Sequence, residues 1–174
     1  MFFWIILAIV LCQRAFEVWL SIDHSQWMRR QGGKEYGREH YRWMILLHAG
    51  FLSSLVLEYC LRPRQLLLIC LIPLLLAQVL RYSAMRTLGK FWNTRVWVLA
   101  GTAPVSRGIF RLMPHPNYLG VALEIFFLPA MFGLWITAVV FSLLNAWMMA
   151  VRVRVEEQAL RISNGELRMT NDRR

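Results

Sequence analysis

The chain has 174 residues, 57% of them apolar and 17% charged, with a formal net charge of +10 at pH 7. That composition excludes an ordinary soluble globular domain and a disordered tail, and it is the composition of a small integral membrane protein. The excess of Lys and Arg over acids is read as membrane topology and contact with anionic lipids, and nucleic-acid binding is not needed to explain it.

Hydrophobicity predicts five spans in chain order: Phe2 to Leu20, Trp43 to Leu61, Gln65 to Met85, Leu119 to Phe132, and Leu134 to Val151. The fold class expected is an all-α integral membrane protein with about five transmembrane helices, a cytoplasmic cofactor-binding loop and a C-terminal helix. It is read as a single membrane domain over residues 1–174, with a three-helix part at 1–86 and a motif region at 87–174 that contains the helical hairpin 119–151. The first span lacks a basic lead and a small-residue cleavage site, so it is expected to be retained rather than removed as a signal peptide. Arg14 and Glu17 within it read as a local ion pair. Arg62-Pro63-Arg64 is expected to be a tight turn, because Pro63 disfavours helix at Arg62. Cys12, Cys60 and Cys70 all fall in apolar runs without metal-ligand spacing, and are expected to be buried free thiols.

The connections carry the charge asymmetry. Arg29, Arg30, Lys34, Arg38 and Arg42 lie between the first two spans, Arg86, Lys90, Arg95, Arg107 and Arg111 between the third and fourth, and further arginines follow Val151. Five spans put all of these on one side, opposite only Arg62 and Arg64. The expected topology is therefore N-terminus out and C-terminus cytoplasmic, in a plasma membrane. Trp27, Tyr36, Tyr41, Trp43, Trp92 and Trp97 fit an aromatic belt at the same interface.

Two motifs flank the last hydrophobic region. Pro114-His115-Pro116-Asn117-Tyr118-Leu119-Gly120 precedes it, and Arg152-x-x-x-Glu156-Glu157-x-x-Leu160 follows it. As one helix the run between them would exceed ~45 Å against a hydrocarbon core of ~30 Å, so Pro129 and Gly133 are expected to fold it into a hairpin whose open end joins the motifs. Ionisable and polar groups inside the spans cost energy unless paired or wetted. His48, Gln78, Arg81, Glu124 and Asn145 either line a polar chamber or lock helices together; Glu58 and Arg81 lie near span ends and can snorkel. Glu124, one helical turn beyond Gly120, is expected close to the His115 turn.

Trp92 to Leu112 is the least membrane-like segment. Val96 to Leu99 has strand character, and Ala100-Gly101-Thr102 and Ser106-Arg107-Gly108 read as turns, so main-chain contacts to a nucleotide-like ligand are possible here. There is no dinucleotide-binding fingerprint, no phosphate loop, no motif-bound hydrolase triad, and His24, His40, His48 and His115 have no metal-ligand spacing, so no metal site is expected.

His115-Pro116-Asn117-Tyr118 before a membrane hairpin, with Arg152-x-x-x-Glu156-Glu157-x-x-Leu160 after it, resembles the isoprenylcysteine carboxyl methyltransferase family over about Leu88 to Leu160. The phrase Leu88-Gly89-Lys90-Phe91-Trp92-Asn93-Thr94-Arg95 is similar to short bacterial members, among them alkylpyrone and alkylresorcinol O-methyltransferases. The resemblance implies an S-adenosylmethionine-dependent O-methyltransferase acting on a lipophilic acceptor, a carboxylate or a phenol or enol oxygen, at the membrane face. It places His115, Pro116, Asn117, Tyr118 and Glu156 on the cofactor, together with Thr102, Ala103, Pro104, Val105 and Phe110, and gives Arg152 the substrate. One departure is that Pro114 stands where the family usually has Arg, a role lost or moved to Arg111. Two other classes compete: a membrane reductase of the sterol-reductase type using NADPH, whose families share the His-Pro-Asn-Tyr phrase, and a non-catalytic scaffold. The partners expected are the lipophilic substrate and membrane lipids, with the oligomeric state left open.

Overall fold

A computed structural model of the chain describes residues 1–62, 65–102 and 105–171, with side chains as far as residue 162. Pro63 and Arg64 of the expected turn, and Ala103 and Pro104 of the expected cofactor segment, lie outside the described residues. The elements are α1 (Phe2–Arg30), β1 (Lys34–Tyr36), α2 (Arg38–Leu61), α3 (Leu71–Leu88), β2 (Val96–Val98), α4 (Pro116–Met131) and α5 (Trp135–Asn171). Four stretches are long and apolar enough to cross a membrane: Phe2–Arg30, Arg38–Leu61, Leu68–Phe91 and Trp135–Ile162. The fifth, α4, has 16 residues, or ~24 Å of helix, so it is short of a full crossing and works as one arm of the hairpin. The protein is thus a mostly helical membrane protein, with the addition of a small two-stranded sheet.

The described residues form two compact units. The first comprises Met1–Arg38, Leu88–Pro104 and Val153–Arg174. Its α1 continues well past Leu20, because nothing from Ser21 to Arg30 breaks a helix, and it ends at the glycine pair. Gly33 N–H bonds the Met28 carbonyl and Gly32 N–H bonds that of Arg29, with Gly32 at φ +82°; this pair of hydrogen bonds closes the helix and requires a residue free to adopt a left-handed backbone. The chain then enters β1, which pairs antiparallel with β2 (Lys34 with Val98, Glu35 with Trp97, Tyr36 with Val96). The expected strand at Val96 is present, and its partner β1 is an addition to the sequence reading.

The phrase Leu88 to Arg95 docks on this unit through polar contacts. Asn93 donates to Ser25 Oγ at 2.8 Å and accepts from Ser21 Oγ at 2.8 Å, and His24 Nδ1 donates to the Trp92 carbonyl at 2.6 Å. Arg95 Nη1 meets Glu35 Oε1 at 2.9 Å, while Arg38 Nε meets Oε2 of the same carboxylate at 3.0 Å. Several residues of the most family-like phrase in this part of the chain therefore pin a loop to α1 and β1.

The second unit comprises Glu39–Thr87 and Val105–Arg152, and is built from α2, α3, α4 and the first half of α5. Contacts at both ends set the directions of its helices. Met44 and Tyr118 meet Arg152 at one end; Glu58 meets Thr137, and Tyr59 meets Phe132, at the other. So α2 and α4 run one way and α3 and α5 return. The hairpin bend is a second glycine-closed helix end: Leu134 N–H bonds the Pro129 carbonyl and Gly133 N–H that of Ala130, with Gly133 at φ +72°. Gly133 is the turning residue, while Pro129 stays inside the last turn of α4.

Glu58 and Arg81, which their places near span ends would allow to snorkel, are buried, and Arg81 takes the other expected role of locking helices. The Glu58 carboxylate accepts from Thr137 N–H at 2.8 Å, Ile136 N–H at 3.2 Å and Thr137 Oγ at 2.7 Å. It caps the first turn of α5, whose amides carry partial positive charge and have no partner within their own helix. Arg81, 1% exposed, forms an ion pair with Glu124 at 2.8 Å. His48 bonds the Met44 carbonyl of its own helix at 2.8 Å. Cys70 is buried, but Cys12 and Cys60 are exposed on outward faces, since an apolar run on a membrane helix has a lipid side as well as a packed one. Arg14 and Glu17 form the expected ion pair at 2.8 Å.

Candidate active site

The His115 motif folds as a helix start. His115 is the N-cap residue of α4 and Pro116 occupies the first helical position, where its missing N–H is no loss. One turn of helix brings the Tyr118 ring over the His115 ring, stacked with centroids 5.0 Å apart and planes at 7°. His115 is exposed and Tyr118 half-buried, so the ring pair lines the surface at this end of the unit. Gly120 explains how α4 is held there. A Cβ on it would lie 2.9 Å from the Ala77 carbonyl oxygen of α3, so the two backbones touch where only glycine fits. One turn further on, the Arg81–Glu124 pair locks the same two helices. Glu124 is thus near the motif along α4, yet its carboxylate is held by Arg81.

Arg152 meets this turn from α5. It is 6% exposed, its Nε donates to Tyr118 Oη at 2.9 Å, its guanidinium lies 5.3 Å from the Tyr118 ring centroid, and its Nη1 approaches Met44 Sδ at 3.3 Å. The two motifs are 34 residues apart in sequence and joined by a hydrogen bond, which is the arrangement the hairpin predicts. A thioether is a weak acceptor. An anionic oxygen arriving at Nη1 would therefore replace a poor partner with a charge-assisted one. Met44 carries no sequence signal for this place; it is one methionine among nine.

The remaining expected site residues are distributed as follows. Val105 and Phe110 belong to the second unit, Phe110 in a short 3-10 turn from Gly108 to Arg111. Thr102 belongs to the first unit, where its hydroxyl closes the expected turn on the Leu99 carbonyl at 2.6 Å. Glu156 follows Arg152 by one turn of α5 and belongs to the first unit.

The residues of the His115 turn suit a methylsulfonium cofactor. Asn117 Oδ1 is buried and has no hydrogen-bond partner among the described residues, an acceptor that would meet an ammonium or hydroxyl donor of such a ligand. The stacked His115 and Tyr118 rings give this turn an aromatic surface, with the Arg152 guanidinium at the Tyr118 ring and the His115 ring exposed.

The sequence profile of the isoprenylcysteine carboxyl methyltransferase family matches residues 67–162, more than half the chain. The chain belongs to that family. It is therefore a member of a family of membrane methyltransferases, which are typically S-adenosylmethionine-dependent. It is 37% identical over 161 residues to the uncharacterized protein YpbQ of Bacillus subtilis, covering 91% of this chain and 96% of that one. An uncharacterized protein of Haemophilus influenzae is 24% identical over 157 residues, covering 88% and 91%. No solved structure matches the chain. Membership of this family leaves the nicotinamide-dependent reductase without support.

Proposed function

We propose that this membrane protein transfers a methyl group from S-adenosylmethionine to an oxygen of a lipophilic acceptor, a carboxylate or a phenol or enol such as an alkylpyrone or alkylresorcinol. The observation that carries this reading is the Arg152–Tyr118 contact, which ties the cation assigned to the acceptor to the ring turn assigned to the cofactor. His115, Pro116, Asn117 and Tyr118 would hold the cofactor, and the family resemblance assigns Glu156, Thr102 to Val105 and Phe110 to the same ligand, Glu156 as an acceptor for its ammonium or ribose hydroxyls. When bound, the cofactor supplies an electrophilic methyl on a sulfonium.

Arg152 binds the deprotonated acceptor oxygen and stabilises the anion in a buried setting, so the oxygen attacks already charged and no strong base has to act during transfer. Tyr118 keeps the guanidinium plane in one orientation through its hydroxyl. Displacement is in line, and the rate then depends mainly on how well the nucleophile is aligned. The exposed faces of α2, α4 and α5 are apolar, which suits an acceptor whose chain stays in the bilayer.

The expected result is that His115→Ala, Tyr118→Ala and Glu156→Ala each weaken S-adenosylmethionine binding while leaving the helical content unchanged. Loss of the charge-assisted bond at Glu156 corresponds to roughly 1.5–3 kcal/mol, or about tenfold to a hundredfold in affinity. Calorimetry on the detergent-purified variants checks this, and undiminished affinity in all three would remove the cofactor assignment. The proposed orientation, N-terminus out and C-terminus cytoplasmic, predicts that reporters fused after Arg174 and inserted at Gly32-Gly33 both read as cytoplasmic. An outside signal from either reporter contradicts it.

A further inference from the structure

The first unit has a groove of its own. It measures about 550 Å³, within the range of small-molecule sites, and Arg29, Lys34, Arg38, Glu35, Tyr36 and Trp97 form most of its wall. Among the described lining residues three are cations and one is an acid. That acid, Glu35, is engaged on one oxygen by Arg38 and on the other by Arg95. Arg29 has its guanidinium 5.9 Å from the Trp97 ring centroid and no carboxylate partner among the described residues. The groove is therefore positive, and one of its cations, Arg29, is set over a ring. The Trp97 indole N–H is buried and meets no acceptor among the described residues.

The level of the groove follows from α1. Arg29 lies nine residues past Leu20, where the apolar run ends, which is ~13 Å of helix. The interfacial layer of a bilayer is ~5–8 Å deep on each side, and Lys and Arg side chains snorkel back along their stems. The cations thus reach the plane of lipid phosphates.

We propose that this groove is a binding site for the headgroup phosphate of an anionic phospholipid of the host membrane. Arg29 and Lys34 hold the phosphate, and Trp97 and Tyr36 bound the headgroup at the interface. The proposal is independent of the methyl-transfer reading.

The test uses the full-length protein in detergent, titrated with dioctanoyl phosphatidylglycerol, dioctanoyl phosphatidylcholine or inorganic phosphate while thermal unfolding is followed. Phosphatidylglycerol is expected to raise the melting temperature in a saturable way; phosphatidylcholine and inorganic phosphate are expected to leave it unchanged. Arg29→Gln/Lys34→Gln, both at exposed positions, should weaken the apparent affinity for phosphatidylglycerol about tenfold or more. Arg107→Gln/Arg111→Gln removes the same charge elsewhere and should not weaken it. Equal weakening by both double variants would mean a diffuse charge effect and overturn the site. An undiminished response in Arg29→Gln/Lys34→Gln would overturn it too, and an equal shift with inorganic phosphate would overturn the lipid as occupant.

Discussion

Arg152→Lys is expected to lower methyl transfer to an anionic lipid acceptor by about a hundredfold to a thousandfold, the usual effect of removing one oriented donor from a developing or transferred charge, while cofactor affinity stays within about twofold. Lysine keeps the charge but loses the planar fork, and with it the Nε bond to Tyr118 Oη at 2.9 Å. Tyr118→Phe removes the same bond from the other side. Because the two groups act through one contact, the double variant should be hardly worse than Arg152→Lys alone. Parallel cofactor titration and single-turnover methyl transfer separate the two effects. Equal losses of binding and turnover in Arg152→Lys would place Arg152 on the cofactor or in the fold rather than on the acceptor.

Glu124→Ala is expected to destabilise the second unit by about 3–5 kcal/mol, because it removes the carboxylate from a guanidinium that is 1% exposed between α3 and α4. Arg81→Met combined with Glu124→Leu removes both charges and should recover most of that loss, since a buried pair replaced by packed apolar groups is often neutral. Reversible unfolding in mixed micelles measures both. A loss below about 1 kcal/mol for Glu124→Ala would mean that the pair is hydrated and does not hold the helices. The same pair bears on activity, because α4 carries His115 and Tyr118 at its first turn and Gly120 brings it into backbone contact with α3.

How far this arrangement is legible in the sequence differs from residue to residue. The hairpin is legible because Gly133 supplies a backbone conformation that other residues resist, and the run around it is too long for one crossing. Strand β2 is legible from Val96 to Val98, where branched and aromatic residues alternate. Its partner Lys34-Glu35-Tyr36 is not, because three residues with no apolar pattern become a strand only when β2 lies beside them. Hydropathy places Glu58 and Arg81 near helix ends but says nothing of the face they occupy, and the face decides between snorkelling and burial. Glu58 turns inward because α5 presents uncapped amides at the same level, 79 residues later in the chain. Arg81 turns inward because Glu124 lies opposite, 43 residues away. The ends of α1 and α5 exceed the apolar runs for a simpler reason: hydropathy marks where lipid ends, whereas a helix continues until its hydrogen bonding is interrupted. At the candidate site the sequence motifs place His115, Tyr118 and Arg152 together, and the role of Met44 becomes visible only once α2 is packed against α5.

The most direct measurement is transfer of a labelled methyl group from S-adenosylmethionine by the purified full-length protein in liposomes, offered a panel of alkylpyrones, alkylresorcinols and prenylcysteine analogues. Methyl transfer by this protein requires label in a lipid-extractable methyl ether or ester of at least one acceptor, with S-adenosylhomocysteine formed in equal amount and the signal abolished by Arg152→Ala. A folded protein that neither binds S-adenosylmethionine nor labels any member of the panel would contradict it.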